Sequence, residues 1–415
     1  MGSFRLSCGL AAAVVGTAAF SAPPAAPPVV MPAPPPPGPP SPSPSPSPSP
    51  PRPLSPAVAA EVAQSDYAGT RLLAFMTGSR AVATKAGFSG EFGMTYFRRP
   101  GAAEGSPVSV VAAQDGSGTA RKANQVWRWA SVTKQVIAVL VMQEVAAGRI
   151  DLDQPVAQYL PKFASPNAAA MTVRQLLRHQ SGLPNPDDTA PGPDGVPDFY
   201  RPAAQSTTQP LDYCAGTPKG EPGGNWSYNN CDYIVAAALL EAVSGTSWQQ
   251  LVAERIAGPL ELRSVGTFPG NVATIPGFTG SKPEPVYALE RFGGAGALYG
   301  SMSELLKFDL ALQRGRLLPA PQLAEMWDGQ PQLGSIALGQ WAFSAPLKGC
   351  AAPVRIIERR GAIGGIQVRN FILPEPGIAV ALFGDQAEFD FGEVWQGKGF
   401  SYDMLSLAAC PQGAA

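Results

Sequence analysis

The chain of 415 residues carries 30 Lys and Arg against 31 Asp and Glu, and 45% of it is hydrophobic, enough for one large domain or two ordinary ones. With no basic excess and no long basic run, nothing marks a nucleic-acid face, and a small molecule or peptide is the expected partner. Oligomeric state is not readable from these quantities.

Arg5 is followed by an apolar run over residues 6–20 that ends in Ala19-Phe20-Ser21-Ala22, the pattern of a secretory signal over residues 1–21. Cys8 precedes most of the apolar core and reads as incidental. No later stretch offers about eighteen uninterrupted apolar residues, so the mature chain is expected to make no stable membrane insertion and to be periplasmic or secreted. Residues 22–56 are rich in Pro and Ser, with a Ser-Pro repeat over 41–50. Such a segment favours extended polyproline II, a spacer of roughly 100 Å at about 3.1 Å per residue. Residues 57–415 remain as the folded domain.

Within it, the apolar runs 72–77 and 80–85, parted by Gly78-Ser79, predict a hairpin. Ala130-Ser131-Val132-Thr133-Lys134 then opens an apolar run to Ala147 so dense that a helix there is buried on nearly every face, and Gly148 stops it. Thr172 with Gln175 predicts a capping box before a short helix that ends at His179-Gln180-Ser181-Gly182. Residues 184–224, rich in Pro, Asp and Gly, predict a long surface excursion that shapes a cleft. Asp232 opens a helix stopped by Gly245, and Ser301 with Glu304 predicts a second capping box. Residues 354–358, 365–373 and 377–383 read as strands, and a last helix covers 402–409. The fold class is therefore α/β, with an antiparallel sheet from both chain termini, flanking helices and a mostly helical middle region. Cys214, Cys231, Cys350 and Cys410 allow three pairings; sequence proximity favours Cys214 with Cys231 and Cys350 with Cys410. No Cys-x-x-Cys or clustered His suggests a metal, and no cofactor is expected.

Ser131 and Lys134 lie one turn apart on a single helix face, so a hydroxyl and a buried amine meet. Burial lowers a lysine pKa, which lets Lys134 accept a proton from Ser131. A Ser-His-Asp triad is not supported, since His179 is the only histidine and no Gly-x-Ser-x-Gly occurs; His179 reads as holding its turn. Tyr228 and Asn230, two apart in an extended loop, project together.

Together, Ala130-Ser131-Val132-Thr133-Lys134-Gln135, Tyr228-x-Asn230, the run Leu176-Leu177-x-His179-x-Ser181-Gly182-Leu183-Pro184 and Gly296-Ala297-Leu298-Tyr299-x-Ser301 resemble the serine β-lactamase and DD-peptidase superfamily. The likeness covers roughly residues 70–410 and is greatest to class C β-lactamases, D-aminopeptidases and related esterases. It implies a β-lactamase-like fold, Ser131 as nucleophile, Lys134 as activating amine, Tyr228 as general base and acid, and Asn230 as a substrate-binding group. The third family motif, usually Lys-Thr-Gly or His-x-Gly, reads Arg359-Arg360-Gly361 here. By that register Arg359 faces the cleft, either to grip a substrate carboxylate or to hold Tyr228 partly ionised. Gly361 permits close approach, and the backbone amides of Ser131 and Ala362 are the implied oxyanion donors. The expected activity is an exported serine hydrolase that forms an acyl-enzyme on an ester, a peptide-like amide or a β-lactam. The alternatives are a catalytically weak ligand-binding protein on the same fold and a structural envelope protein on the Pro-rich stalk.

Overall fold

The computed structural model describes residues 56–96, 108–202 and 208–410. The signal segment and nearly all of the Pro-rich spacer lie outside the described residues. Seven strands make one antiparallel sheet: β1 (Gly90–Tyr96), β2 (Val108–Gln114), β3 (Ala120–Arg121), β4 (Trp341–Ala345), β5 (Val354–Ile363), β6 (Ile366–Leu373) and β7 (Ile378–Gly384). Their order is β3-β2-β1-β7-β6-β5-β4. The two ends of the chain meet where β1 lies against β7, with Gly90 opposite Gly384 and Tyr96 opposite Ile378. The sheet is thus built from both termini, as its strand pattern predicts.

Successive side chains of a strand point to opposite faces, and here each face has its own core. Val380 and Leu382 of β7 join Leu72, Phe75, Met404 and Leu405 from the terminal helices α1 (Pro56–Lys85) and α6 (Phe400–Ala409). Ala379, Ala381 and Phe383 turn the other way, into a larger cluster around α2 (Thr133–Ala146). Two-sided burial explains why β6 and β7 read as nearly continuous apolar runs.

The expected hairpin over residues 72–85 is instead part of α1. Leu72, Phe75, Ser79 and Ala83 are all buried, a spacing of three and four that suits a helix and overrides the local Gly-Ser signal. Gly78 fits because a Cβ there would come within 3.0 Å of the Leu407 side chain, so α1 lies close against α6.

Between the sheet halves lies the mostly helical region, with α3 (Val173–Leu177), α4 (Cys231–Ser244) and α5 (Met302–Gln313) around α2. The Thr172 capping box is present, with Gln175 N donating to Thr172 Oγ1 at 3.2 Å and Thr172 N to Gln175 Oε1 at 3.0 Å. Gly245 ends α4 at φ 69°, a conformation that favours glycine. Ser301 occupies the N-cap of α5 without a side-chain cap bond, against expectation. Glu304 turns away from it to accept from the Ser264 amide at 2.9 Å and from the Ser264 hydroxyl. Disulfides join Cys214 to Cys231 and Cys350 to Cys410, the pairing that sequence proximity favours. No helix among the described residues is long and apolar enough to cross a membrane.

Candidate active site

Ala130 stands at φ 46°, a left-handed conformation that costs an L residue about 1–2 kcal/mol. This turn delivers Ser131 to the entrance of α2, within a 3-10 segment over Ala130–Val132. Strain of this kind persists where the surroundings fix it, and here the fixing groups are those of the site. Lys134 follows one turn on and is fully buried, whereas Ser131 keeps 7% of its surface exposed.

Lys134 Nζ lies 2.7 Å from Asn230 Oδ1, 2.7 Å from the Ala295 carbonyl, 2.8 Å from the Tyr228 hydroxyl and 3.1 Å from Ser131 Oγ. Two of these partners only accept, and they use two N–H groups. The remaining two are hydroxyls, each able to donate, so the arrangement suits a neutral amine with a lone pair turned to Ser131 and Tyr228. Burial, with the nearby Arg359 charge, holds the Lys134 pKa well below that of an ordinary lysine. Ser131 Oγ and the Tyr228 hydroxyl are 2.6 Å apart, which closes a triangle of exchangeable protons.

Tyr228 corrects one expectation. Its phenol is pushed up to about 12, because burial raises it more than Arg359 lowers it. At neutral pH it is therefore protonated, not partly ionised.

Arg359 also differs from one of its two expected roles. Its side chain is fully buried: Nε donates to the Ser131 carbonyl at 2.9 Å and Nη2 to the Tyr228 hydroxyl at 3.4 Å. The guanidinium lies between the rings of Tyr228 and Trp341, 5.6 and 5.4 Å from their centroids. A substrate carboxylate does not reach it. Arg359 braces the Ser131 backbone against the phenol, and Arg360 points away to Glu358 and Glu393. Arg359→Ala is therefore expected to lower kcat for anionic and neutral substrates alike, by about ten- to a hundredfold, without a selective rise in KM for the anionic one. Steady-state kinetics on one substrate of each charge checks it.

β4 pairs with β5 only as far as Glu358, opposite Trp341, so the strand edge from Arg359 onward faces the segment that carries Ser131. A Cβ on Gly361 would lie 2.7 Å from the Trp129 carbonyl oxygen and 3.0 Å from the Ser131 amide nitrogen. Only glycine lets the strand come this close to the amide that an oxyanion would use. Ala362, opposite Gln367 on β6, is the next residue along that edge.

His179 does not contact Ser131. Buried at φ 60°, its Nδ1 lies 2.8 Å from Asp232 Oδ2 and its ring packs 4.9 Å from that of Tyr228. Burial drives the imidazole well below its usual pKa and the Asp232 carboxyl well above its own, and the pair packs beneath the phenol. Sequence reasoning missed two site residues, Asp187 and Tyr200: Asn230 Nδ2 donates to Asp187 Oδ1 at 2.9 Å and to the Tyr200 hydroxyl at 2.8 Å. Among the described residues no group of His, Cys, Asp and Glu is arranged to hold a metal ion.

The β-lactamase family model matches residues 72–389. Penicillin-binding protein 4 of Amycolatopsis lactamdurans is 30% identical over 197 residues, 45% of this chain and 49% of that protein. An esterase of Burkholderia gladioli is 28% identical over 166 residues, 36% of this chain and 40% of the esterase. The chain spans about half the length, or less, of these curated relatives. Among solved structures, a D-stereospecific amidohydrolase from a Streptomyces species superposes with a TM-score of 0.62 at 22% identity, covering 81% of this chain and 99% of the other. A D-amino acid amidase from Ochrobactrum anthropi SV3 gives 0.63 at 20% identity, covering 80% and 97%. At those identities the structures share the fold. The family match spans most of the chain and coincides with this sheet and its helical middle region, and the chain belongs to the β-lactamase family.

Proposed function

We propose that this member of the family is a serine hydrolase that forms an acyl-enzyme at Ser131 and releases it to water. The observation that carries the reading is the set of contacts at Lys134, which fits an uncharged amine beside a serine hydroxyl. Lys134 accepts the proton of Ser131 as Oγ attacks an ester or amide carbonyl, and the amides of Ser131 and Ala362 receive the oxyanion. Tyr228, a phenol at neutral pH, gives its proton to the leaving group and recovers one through Lys134. Asn230 orients Lys134 and the substrate. Water then attacks the acyl carbonyl and gives a proton to Lys134, which returns it to Ser131 Oγ as the acyl–oxygen bond breaks and the acid leaves.

The signal-like sequence of residues 1–21 and the Pro- and Ser-rich composition of residues 22–56 support export to a periplasmic or extracellular location. A binding protein without turnover is the competing reading. Incubation of the purified mature chain with a fluorophosphonate probe, then with p-nitrophenyl esters, nitrocefin and D-Ala-D-Ala peptides, separates them. Labelling with turnover of at least one substrate is expected; absence of both overturns the hydrolase reading.

A further inference from the structure

The two basic side chains nearest Ser131 are closed to substrate. Lys134 and Arg359 are both fully buried and turned to protein acceptors. A carboxylate, by contrast, is open. Asp187 sits on the 3-10 turn Pro186–Asp188 and is exposed, while Tyr200 and Asn230, which hold it, are 1% and 3% exposed. Protein nevertheless surrounds it closely enough to displace much of its water and raise its pKa. Surface access together with close surroundings describes a side chain that lines a concave wall.

Its hydrogen bonds are one-sided. The Tyr200 hydroxyl and Asn230 Nδ2 both donate to Oδ1, each at 2.9 Å, and Oδ2 has no partner among the described residues. The next residue, Asp188, is paired with Lys219, but no cationic side chain among the described residues pairs with Asp187. An exposed acid held in place by two neutral donors on one oxygen, with the second unbonded among the described residues, suits a cationic partner.

The turn is fastened to the catalytic loop. Asn185 Oδ1 accepts from the Asn230 amide at 3.2 Å, and Asn185 Nδ2 donates to the Tyr228 carbonyl at 3.3 Å. The Tyr213 hydroxyl donates to the Asn185 carbonyl at 3.0 Å, and the neighbouring Cys214 is disulfide-bonded to Cys231, which follows Asn230. Asn230 therefore bridges Lys134 on its oxygen and Asp187 on its nitrogen, so a single side chain separates the base from the free carboxylate oxygen.

We propose that Asp187 receives the ammonium group of the substrate, and that the substrates are amides or esters of α-amino acids with a free amine. In such a molecule the ammonium is borne by the carbon next to the scissile carbonyl, which matches a carboxylate placed one side chain from the base. The inference rests on the acyl-serine reading above and narrows it.

Alanine p-nitroanilide, in both enantiomers, is compared with its N-acetyl form on the full-length chain. The free amine is expected to be preferred in kcat/KM by about ten- to a hundredfold for at least one enantiomer. In Asp187→Asn, which keeps an oxygen for Tyr200 and Asn230, that ratio is expected to fall toward one. A second measurement does not need turnover: calorimetric binding of alaninamide and N-acetylalaninamide to Ser131→Ala, with and without Asp187→Asn. Loss of the amine preference in the double variant supports the assignment. Equal handling of the free and acetylated compounds by an enzyme that labels with fluorophosphonate overturns it and leaves the hydrolase standing. Failure to label overturns the hydrolase, and the binding arm then decides the Asp187 site alone: no preference for the free amine there overturns this too.

Discussion

Ser131→Ala is expected to abolish labelling by a fluorophosphonate and to lower kcat/KM on the order of 10⁴-fold or more, since no second nucleophile stands beside Lys134. The hydroxyl makes two contacts, with Tyr228 at 2.6 Å and Lys134 at 3.1 Å, and it caps no helix. Its removal leaves Lys134 bonded to Asn230 and Ala295. The stability change is therefore that of a single hydrogen bond, about 1 kcal/mol. Intact-mass spectrometry and a thermal melt read the two quantities together, and undiminished labelling of a folded variant would sink the assignment of the nucleophile.

Substitution at Lys134 is expected to be nearly as severe, and to discriminate between charge and basicity. Lys134→Ala removes the proton acceptor, and the loss in kcat/KM is on the order of 10²- to 10⁴-fold. Lys134→Arg keeps a positive charge but does not yield its proton and is bulkier than the fully buried lysine it replaces, so it should be about as poor and less stable. The sign of the pH dependence follows from the depressed pKa. The neutral amine is present above the folded pKa of Lys134, so activity rises along an acid limb as pH increases through it. Tyr228, at about 12, adds no basic limb near neutrality. A fully active Lys134→Arg enzyme, or an acid limb that survives in Lys134→Ala, contradicts the role of the amine.

Much of this was legible because local pattern and global placement agree. The apolar run after Ser131 is a buried helix, the final strands are strands, and Cys214, Cys231, Cys350 and Cys410 pair as neighbours in sequence. Where the reading failed, a longer-range contact decided. The Gly78-Ser79 pair sits inside α1 because Leu407 packs on the glycine, a contact that no local window contains. Arg359 was expected at the cleft surface from its register; two rings and the Ser131 carbonyl draw it inward. Asp187 and Tyr200 belong to a Pro- and Gly-rich excursion with no periodicity, and Asn185, bonded to the Asn230 amide and the Tyr228 carbonyl, ties that excursion to the loop of Asn230, a contact no local window contains. The one available signal was Asn185-Pro186-Asp187, an Asn cap followed by Pro at the first position of a turn.

The burial of Lys134 has a counterpart in the charge of the folded state. In the unfolded chain Lys134 holds a proton up to about pH 10.4, whereas Asp232 loses its own above about pH 3.9. Folding lowers the first pKa and raises the second. Between the folded and unfolded values of Lys134, unfolding takes up a proton, so this group's contribution to stability rises with pH and is lost on acidification through the folded value. Asp232 acts with the opposite sign: its contribution is complete below its unfolded value and declines as pH rises toward the folded one. Where the two windows overlap, folding moves one proton from an amine to an acid, and both charges disappear with no net exchange with solvent. Folding thus favours the neutral form of this amine and this acid, even though Arg359 and the Arg360–Glu358 pair are buried nearby, and the amine proposed to take a proton from Ser131 gives up its own more readily in the folded chain.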